Sequence, residues 1–362
     1  MFLEGLVAPS SEGGWRGGGK MAPGQDWLRV FGLAVGILLS GAAVDPLAIS
    51  RVAVLFVTLA PAEAVVAPSA TAEAATAPSA TATVVVDPCQ TPPSADAAKA
   101  TGDSLLPAGV NGQLKRDDEL TGRLAERLDG LEGDYGVAAY NLTTGQAVAI
   151  RADEFFPSAS LYKLLIMQTV YRAVQDGKLS LADPVSVNLN DVEDGEPAGG
   201  LFPGDTVTVA EALNKMITIS SNNAAYALLS KVGGWPVVAQ QAAALGLGNT
   251  TFGKCIFTTP ADVLRLLDLM AAGRLVSPDA STAMLNTLLQ QQVNDRLPKG
   301  LPEGTLIAHK TGELPGVRND AGVVYAPGGP YLIVVLSQHV DEDEATQAIS
   351  EISRIVYQHY GG

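Results

Sequence analysis

Strand-forming stretches stand at the two ends of the last roughly 250 residues of this chain, and the middle is mostly helical. At the front, 135–140 and 147–151 flank Asn141-Leu-Thr-Thr-Gly145, a hairpin connection. At the back, 305–310, 321–325 and 331–338 are rich in β-branched and apolar residues. Between them, periodic apolar stretches predict helices over 209–217, 222–231 and 235–244. Two more, 260–272 and 278–290, open on Thr259-Pro260 and Ser277-Pro278, an N-cap residue followed by proline at the first helical position. Amphipathic helices are also predicted at 114–131, with Leu114, Leu120, Leu124 and Leu128 on one stripe, and at 342–360. Such an order predicts a mixed α/β (α+β) fold: an antiparallel five-stranded sheet flanked by helices, plus an all-α lobe. The junction of lobe and sheet is the expected cleft.

The folded domain is expected over 112–362. Ahead of it, 61–111 is dominated by Ala, Pro, Thr, Ser and Val, as in "APSATAEAATAPSATATVVVDPCQTPPSADAAKA". Repeated proline and scarce large apolar residues predict an extended, disordered linker there. Residues 1–60 hold two apolar runs, 30–44 and 52–60, each preceded by basic residues (Arg16, Lys20 and Arg29; Arg51). The first run would span roughly 22 Å as a helix, short of the roughly 30 Å hydrocarbon core. A basic flank, a short apolar run and then small residues are the pattern of an export signal, so an exported protein is expected. Cleavage of that segment and its retention as a membrane anchor both remain open. So does the pairing of Cys89, in the linker, with Cys255, in the domain.

A formal net charge of −15, from 38 acidic and 23 basic residues, excludes the basic stripe that nucleic-acid binding needs. Three histidines, His309, His339 and His359, form no cluster at ligand spacing, so neither a metal site nor a Ser-His-Asp triad is expected.

Three short elements carry the chemistry. In Pro157-Ser-Ala-Ser160-Leu-Tyr-Lys163, a serine and a lysine three apart share a helix face if the helix is headed by Ser160. A buried, neutral lysine there would take the serine's proton. The plainer reading is a capping serine and a solvated lysine. Ile219-Ser220-Ser221-Asn222-Asn223 puts Ser and Asn two apart on a turn between helices, which would also suit a simple N-cap cluster. His309-Lys310-Thr311-Gly312, followed by Arg318-Asn319-Asp320, would equally be a charged strand end.

Taken together, Ser-x-x-Lys, Ser-x-Asn and Lys-Thr-Gly in this order resemble the three-part signature of the penicillin-recognising serine acyl-enzymes, and class A β-lactamases in particular. The resemblance extends over 112–362, through "ASLYK", "MITISSNNAA", "TTPADVLRLL" and "HKTG…RNDAGVVY". It implies the β-lactamase/transpeptidase-like fold and no cofactor. Ser160 would be the nucleophile, Lys163 its base and Ser220 the proton relay. Asn222, Lys310, Thr311 and Arg318 would bind substrate, and the backbone N–H groups of Ser160 and Glu313 would form the oxyanion hole. The implied partner is a β-lactam or a peptidoglycan-like peptide, taken by a monomer.

One departure is directional. Relatives of this type carry a Glu-x-x-Leu-Asn loop whose glutamate positions the water that releases the acyl group. Here Glu303 is the only glutamate between Asn222 and Lys310, and 245–260 holds no acidic residue. Acylation is therefore expected to outpace deacylation. Asp191-Val-Glu-Asp-Gly-Glu196, ahead of the second motif, reads as a solvated loop. A D-Ala-D-Ala peptidase or esterase, and a catalytically weak wall-binding or sensing module, stand as alternatives.

Overall fold

The structure is a computed structural model that describes residues 115–361 apart from 190, 191, 193 and 194. The expected signal or anchor, the linker and Cys89 lie outside the described residues. A two-residue strand, β1 (Lys115–Arg116), precedes helix α1 (Asp118–Leu128), then the hairpin β2 (Asp134–Asn141) and β3 (Gln146–Ile150). The short β4 (Phe156–Pro157) leads into a 3₁₀ turn, Ala159–Tyr162, and helix α2 (Lys163–Gln175). Strands β5 (Pro184–Ser186) and β6 (Thr206–Thr208) bracket a long loop. Helices α3 (Val209–Thr218), α4 (Asn222–Val232) and α5 (Trp235–Ala244) follow, then β7 (Phe257–Thr258), α6 (Pro260–Ala271) and α7 (Pro278–Leu288). The chain closes through a second 3₁₀ turn (Leu297–Gly300), β8 (Leu306–Leu314), β9 (Val317–Ala326), β10 (Gly329–Gln338) and α8 (Glu342–Tyr360).

The sheet runs β1-β3-β2-β10-β9-β8. Its five long strands are antiparallel, as expected. The sixth member, β1, is a two-residue parallel addition beside β3 that its polar sequence does not announce. Both sheet faces are covered. Val137 and Ala139 pack with Leu120 and Leu124 of α1 and with Ile349, Ile352 and Val356 of α8. Their neighbours Ala138 and Tyr140 face the opposite core, shared with α2, α3, α4 and α6. With both faces buried, the strands lose polar-apolar alternation and read as continuous apolar runs.

Helix starts match their sequence signals. Thr259 Oγ1 accepts from the Asp262 N–H, and Ser277 Oγ from that of Ala280. Thr208 and Glu211 form a reciprocal capping box on α3. One expectation changes where it matters: Ser160 does not head the α-helix. It sits within the 3₁₀ turn, which hands over to the α-helix at Lys163. Strand β8 also continues past the expected end at residue 310, carrying Lys310-Thr311-Gly312 inside the sheet and not in a turn.

Candidate active site

The first and third motifs meet because Gly312 lets β8 close on the turn that carries Ser160. A Cβ on Gly312 would lie 3.1 Å from the Ala159 Cβ, 3.2 Å from the Ser158 carbonyl oxygen and 3.2 Å from the Ser160 nitrogen. Ala159 takes φ of 45°, a left-handed conformation uncommon for a residue with a Cβ, immediately before the serine. The turn is held from behind by Asn319, fully buried. Its Nδ2 donates to the carbonyls of Pro157 (2.9 Å) and Ser158 (3.3 Å), while its Oδ1 accepts from the Ser337 N–H (2.9 Å).

The second motif enters on the turn between α3 and α4. Ser220 also has a left-handed φ, 60°, and Ser221 caps α4 by accepting from the Ala224 N–H at 3.1 Å. Lys163 and Lys310 are both fully buried and converge on Ser220. The Lys163 Nζ donates to the Ser220 carbonyl (2.6 Å), the Ser220 Oγ (3.1 Å) and the Asn222 Oδ1 (2.7 Å). The Lys310 Nζ donates to the same Oγ at 3.0 Å and to the Thr311 carbonyl at 2.8 Å. A hydroxyl has two lone pairs and one proton. With both lone pairs taken by the two lysine Nζ groups, the Ser220 proton is left to point into the cleft. Burial, and after it the Lys163 charge, push Lys310 well below the usual lysine value.

Ser160, Tyr162, Ser220, Asn222, Thr311 and Glu313 line one cleft of about 580 Å³, a size suited to a small molecule. Lys254, Cys255 and Ile256, from the connection between α5 and α6, line it as well. Tyr162 is braced edge-on by Trp235 at 5.4 Å.

Lys163 and Lys310 reach this space through Ser220 and do not line it. Arg318 is not brought in either, so its expected part in binding substrate carboxylate does not match its position. Its guanidinium pairs with Glu342 and donates to the carbonyls of Leu314 and Val317 at the base of the β8–β9 hairpin. The charge behind the third motif comes instead from Arg296, 1% exposed, which donates to the Glu313 carboxylate at 2.5 Å and the Asn319 carbonyl at 3.3 Å. Partial burial alone would raise the Glu313 pKa, but the hydrogen bond and charge of Arg296, with Arg318 and Lys310, hold it below its usual value.

Sequence reasoning missed Asn319, Asp320, Arg296 and Glu196. In Arg318-Asn319-Asp320 the signal was present but was assigned to the arginine. It is Asn319 that braces the nucleophile's turn, while Asp320 accepts from the Leu297 N–H (3.1 Å) and pairs with His309 Nδ1 (2.9 Å). Glu196, read as part of a solvated loop, is half-buried with its carboxylate on the Ser221–Asn223 turn. Cys255 is disulfide-bonded. Among the described residues no group of His, Cys, Asp and Glu is arranged to hold a metal.

Comparison with known proteins agrees with this geometry. A β-lactamase of Streptomyces albus G is 29% identical over 263 residues, covering 65% of this chain and 84% of that protein. One of Streptomyces fradiae is 32% identical over 238 residues, covering 59% and 78%. Among solved structures, PBP-A superposes with a TM-score of 0.65 at 26% identity, covering 68% of this chain and 97% of PBP-A. A mutant of PBP-A has been captured as an acyl-enzyme with penicillin G. An ancestral class A β-lactamase gives 0.63 at 29% identity, covering 67% and 100%. Residues 119–360 match the beta-lactamase enzyme family, so this chain belongs to that family of acyl-enzyme-forming serine hydrolases.

Proposed function

We propose that Ser160 is acylated by β-lactams or by peptidoglycan-like amides, and that the acyl group leaves slowly. The observation that carries this reading is an asymmetry in the cleft. Lys163 and Lys310 converge on Ser220, which lines the cleft with Ser160, yet among the described residues the only carboxylate lining the cleft is that of Glu313, which Arg296 already holds. PBP-A, similar in fold, forms a penicillin acyl-enzyme in a mutant form.

In the proposed reaction the Ser160 Oγ attacks the amide carbon as its proton passes to Lys163, which enters as a neutral amine. Lys163 and Lys310 are buried on either side of one hydroxyl, which disfavours charge on both amines at once and leaves one of the pair able to take a proton. The backbone N–H groups of Ser160 and Glu313 hold the oxyanion. Collapse breaks the C–N bond. The Ser220 proton goes to the leaving nitrogen and is replaced from Lys163, so the atoms balance and an ester at Ser160 remains. Asn222 and Thr311, which both line the cleft, orient the substrate's amide and carboxylate, with the Lys310 Nζ on the Thr311 carbonyl. Release requires a water activated by a base, for which 254–256 supplies no acid group.

Export fits the apolar runs at 30–44 and 52–60 and the bonded state of Cys255, since disulfides persist in oxidising compartments. Cell fractionation tests it: a wholly cytoplasmic protein would end that part of the reading. For the chemistry, incubation with a fluorescent penicillin and intact mass measurement should show one adduct that is absent in Ser160→Ala. Rapid hydrolysis of a chromogenic cephalosporin would contradict slow release, and turnover of a D-Ala-D-Ala peptide without β-lactam turnover would identify the peptidase alternative. No adduct with any probe would leave only a binding module.

A further inference from the structure

Glu196 stands 24 residues ahead of Ser220 and belongs to no motif, yet its carboxylate occupies the centre of the second motif's turn. Its Oε1 accepts from the Ser221 hydroxyl (2.5 Å) and the Leu201 N–H (2.9 Å). Its Oε2 accepts from the N–H groups of Asn222 (2.8 Å) and Asn223 (2.9 Å). These two backbone donors open α4, whose N-terminal N–H groups have no partner within the helix. One side chain thus clamps the residue after Ser220, satisfies the backbone of Asn222, and ties both to its own loop. That loop is tied in return: the Asn223 Nδ2 donates to the Leu201 carbonyl at 2.8 Å, and the Lys215 Nζ to that of Gly199.

The loop is shaped around the carboxylate. At Gly200 a Cβ would overlap the Glu196 carboxylate, with Cδ only 2.6 Å and Cγ 2.8 Å away. A glutamate tip is ordinarily free to swing aside, but four hydrogen bonds fix this one. The turn it holds is also one that would not hold itself, because Ser220 sits at φ of 60°. Ser220 and Asn222 are the two residues of that turn that accept from Lys163, so the placement of all three depends on it.

We infer that Glu196 is a positioning residue for acylation: it sets the Ser220–Asn222 turn so that the hydroxyl shared by Lys163 and Lys310 faces the reacting bond. The inference rests on the acylation chemistry proposed above. It does not make Glu196 a base, since both its oxygens are occupied by donors from the turn and its own loop.

The test compares acylation by a fluorescent penicillin in the wild-type protein, Glu196→Ala, Gly200→Ala and Glu196→Ala/Ser221→Asp. The rate at saturation and the half-saturating concentration are read separately, below the melting transition of each variant. A misplaced turn should lower the saturating rate of Glu196→Ala by about 10²-fold. The half-saturating concentration should move much less, because Thr311 and the oxyanion groups, on β8 and the Ser160 turn, are untouched. Gly200→Ala should reproduce the loss while leaving the carboxylate in the chain, so the comparison survives if Glu196→Ala does not fold. Asp is itself an N-cap residue that accepts from the second and third helical N–H groups, so Ser221→Asp should restore part of the rate. Saturating rates in Glu196→Ala and Gly200→Ala within about twofold of wild type overturn the inference and leave the acylation chemistry standing. A wild-type protein that takes no acyl group overturns both.

Discussion

Lys163 and Lys310 meet across a single hydroxyl, donating to the Ser220 Oγ at 3.1 and 3.0 Å from buried positions on α2 and β8. Ser220→Ala removes the acceptor both lysines share and, in the proposed reaction, the proton that goes to the leaving nitrogen. Acylation should slow by about 10²-fold or more, the usual range for a positioned general acid–base group. Stopped-flow acylation with a fluorescent penicillin measures it, and a rate within about threefold of wild type would remove Ser220 from the relay.

Gly312 sets how closely β8 approaches the nucleophile's turn. In Gly312→Ala the new methyl meets Ala159, Ser158 and Ser160 at 3.1–3.2 Å, two of them through backbone atoms that cannot swing aside. Acylation should fall by about tenfold or more, because small displacements of reacting groups are costly in rate. Thermal stability should change little. Unchanged acylation would mean that strand and turn are not in catalytic register.

Asn319→Ala strikes the same turn from behind. It leaves the Pro157 carbonyl and the Ser337 N–H without their side-chain partner in a buried setting. Each such group costs about 1–3 kcal/mol, so denaturant unfolding should show a loss of that order and acylation should fall with it. A neutral effect on both would contradict the bracing role.

How much of this was legible in the sequence depends on the range of the interactions. Helix starts were legible because a cap and its proline are adjacent in the chain, as at Thr259-Pro260 and at Ser277-Pro278. The five long strands were legible from β-branched runs, but their ends were not. Lys310 looked like a solvated strand end and is fully buried. The paired segments β4 and β7, two residues each and about 100 residues apart, have no local signature. In the site, the motif residues were readable from spacing. Glu196, Arg296 and Asn319 were not, because each reaches its partners from a separate loop or strand, and no spacing rule links them. Arg318 was misplaced for the converse reason: a charged residue just after a motif strand suggests a ligand contact, whereas here it closes on Glu342.

Asp262 gives the domain an unusual pH response. It is buried, its Oδ2 accepts from the Asn249 N–H and the Thr250 hydroxyl, and its Oδ1 has no protein partner. Burial raises its pKa from 3.8 to about 6, against the lowering effect of those hydrogen bonds. Between these values the folded state holds a proton that the unfolded state has released. This group's contribution therefore grows as pH falls through about 6 and levels off below the unfolded value, on the order of 3 kcal/mol in all. Asp262→Asn, neutral throughout, lacks that response. Unfolding free energies of the two proteins should move in the mutant's disfavour on going from about pH 7.5 to about pH 4.5, and an equal difference at both would contradict the assignment.

Glu313 places a carboxylate in the lining of the cleft beside the third motif, with Arg296 committed to it. Glu313→Gln keeps an acceptor for Arg296 and removes the negative charge. Its acylation rate with a carboxylate-bearing β-lactam, relative to the matching ester, should rise several-fold over wild type, by a margin that shrinks as salt is raised. An unchanged ratio would show that the charge is not felt by the ligand.

The proposed function holds that the cleft completes acylation and that, among the described residues, no free carboxylate lines it to speed release. Rapid-quench mass spectrometry with one equivalent of a penicillin, followed for several hours, measures both halves on one sample. The account predicts near-stoichiometric adduct on Ser160 at early times, lost far more slowly than it formed and absent in Ser160→Ala. Complete hydrolysis of the penicillin with no adduct accumulating at any time would contradict it.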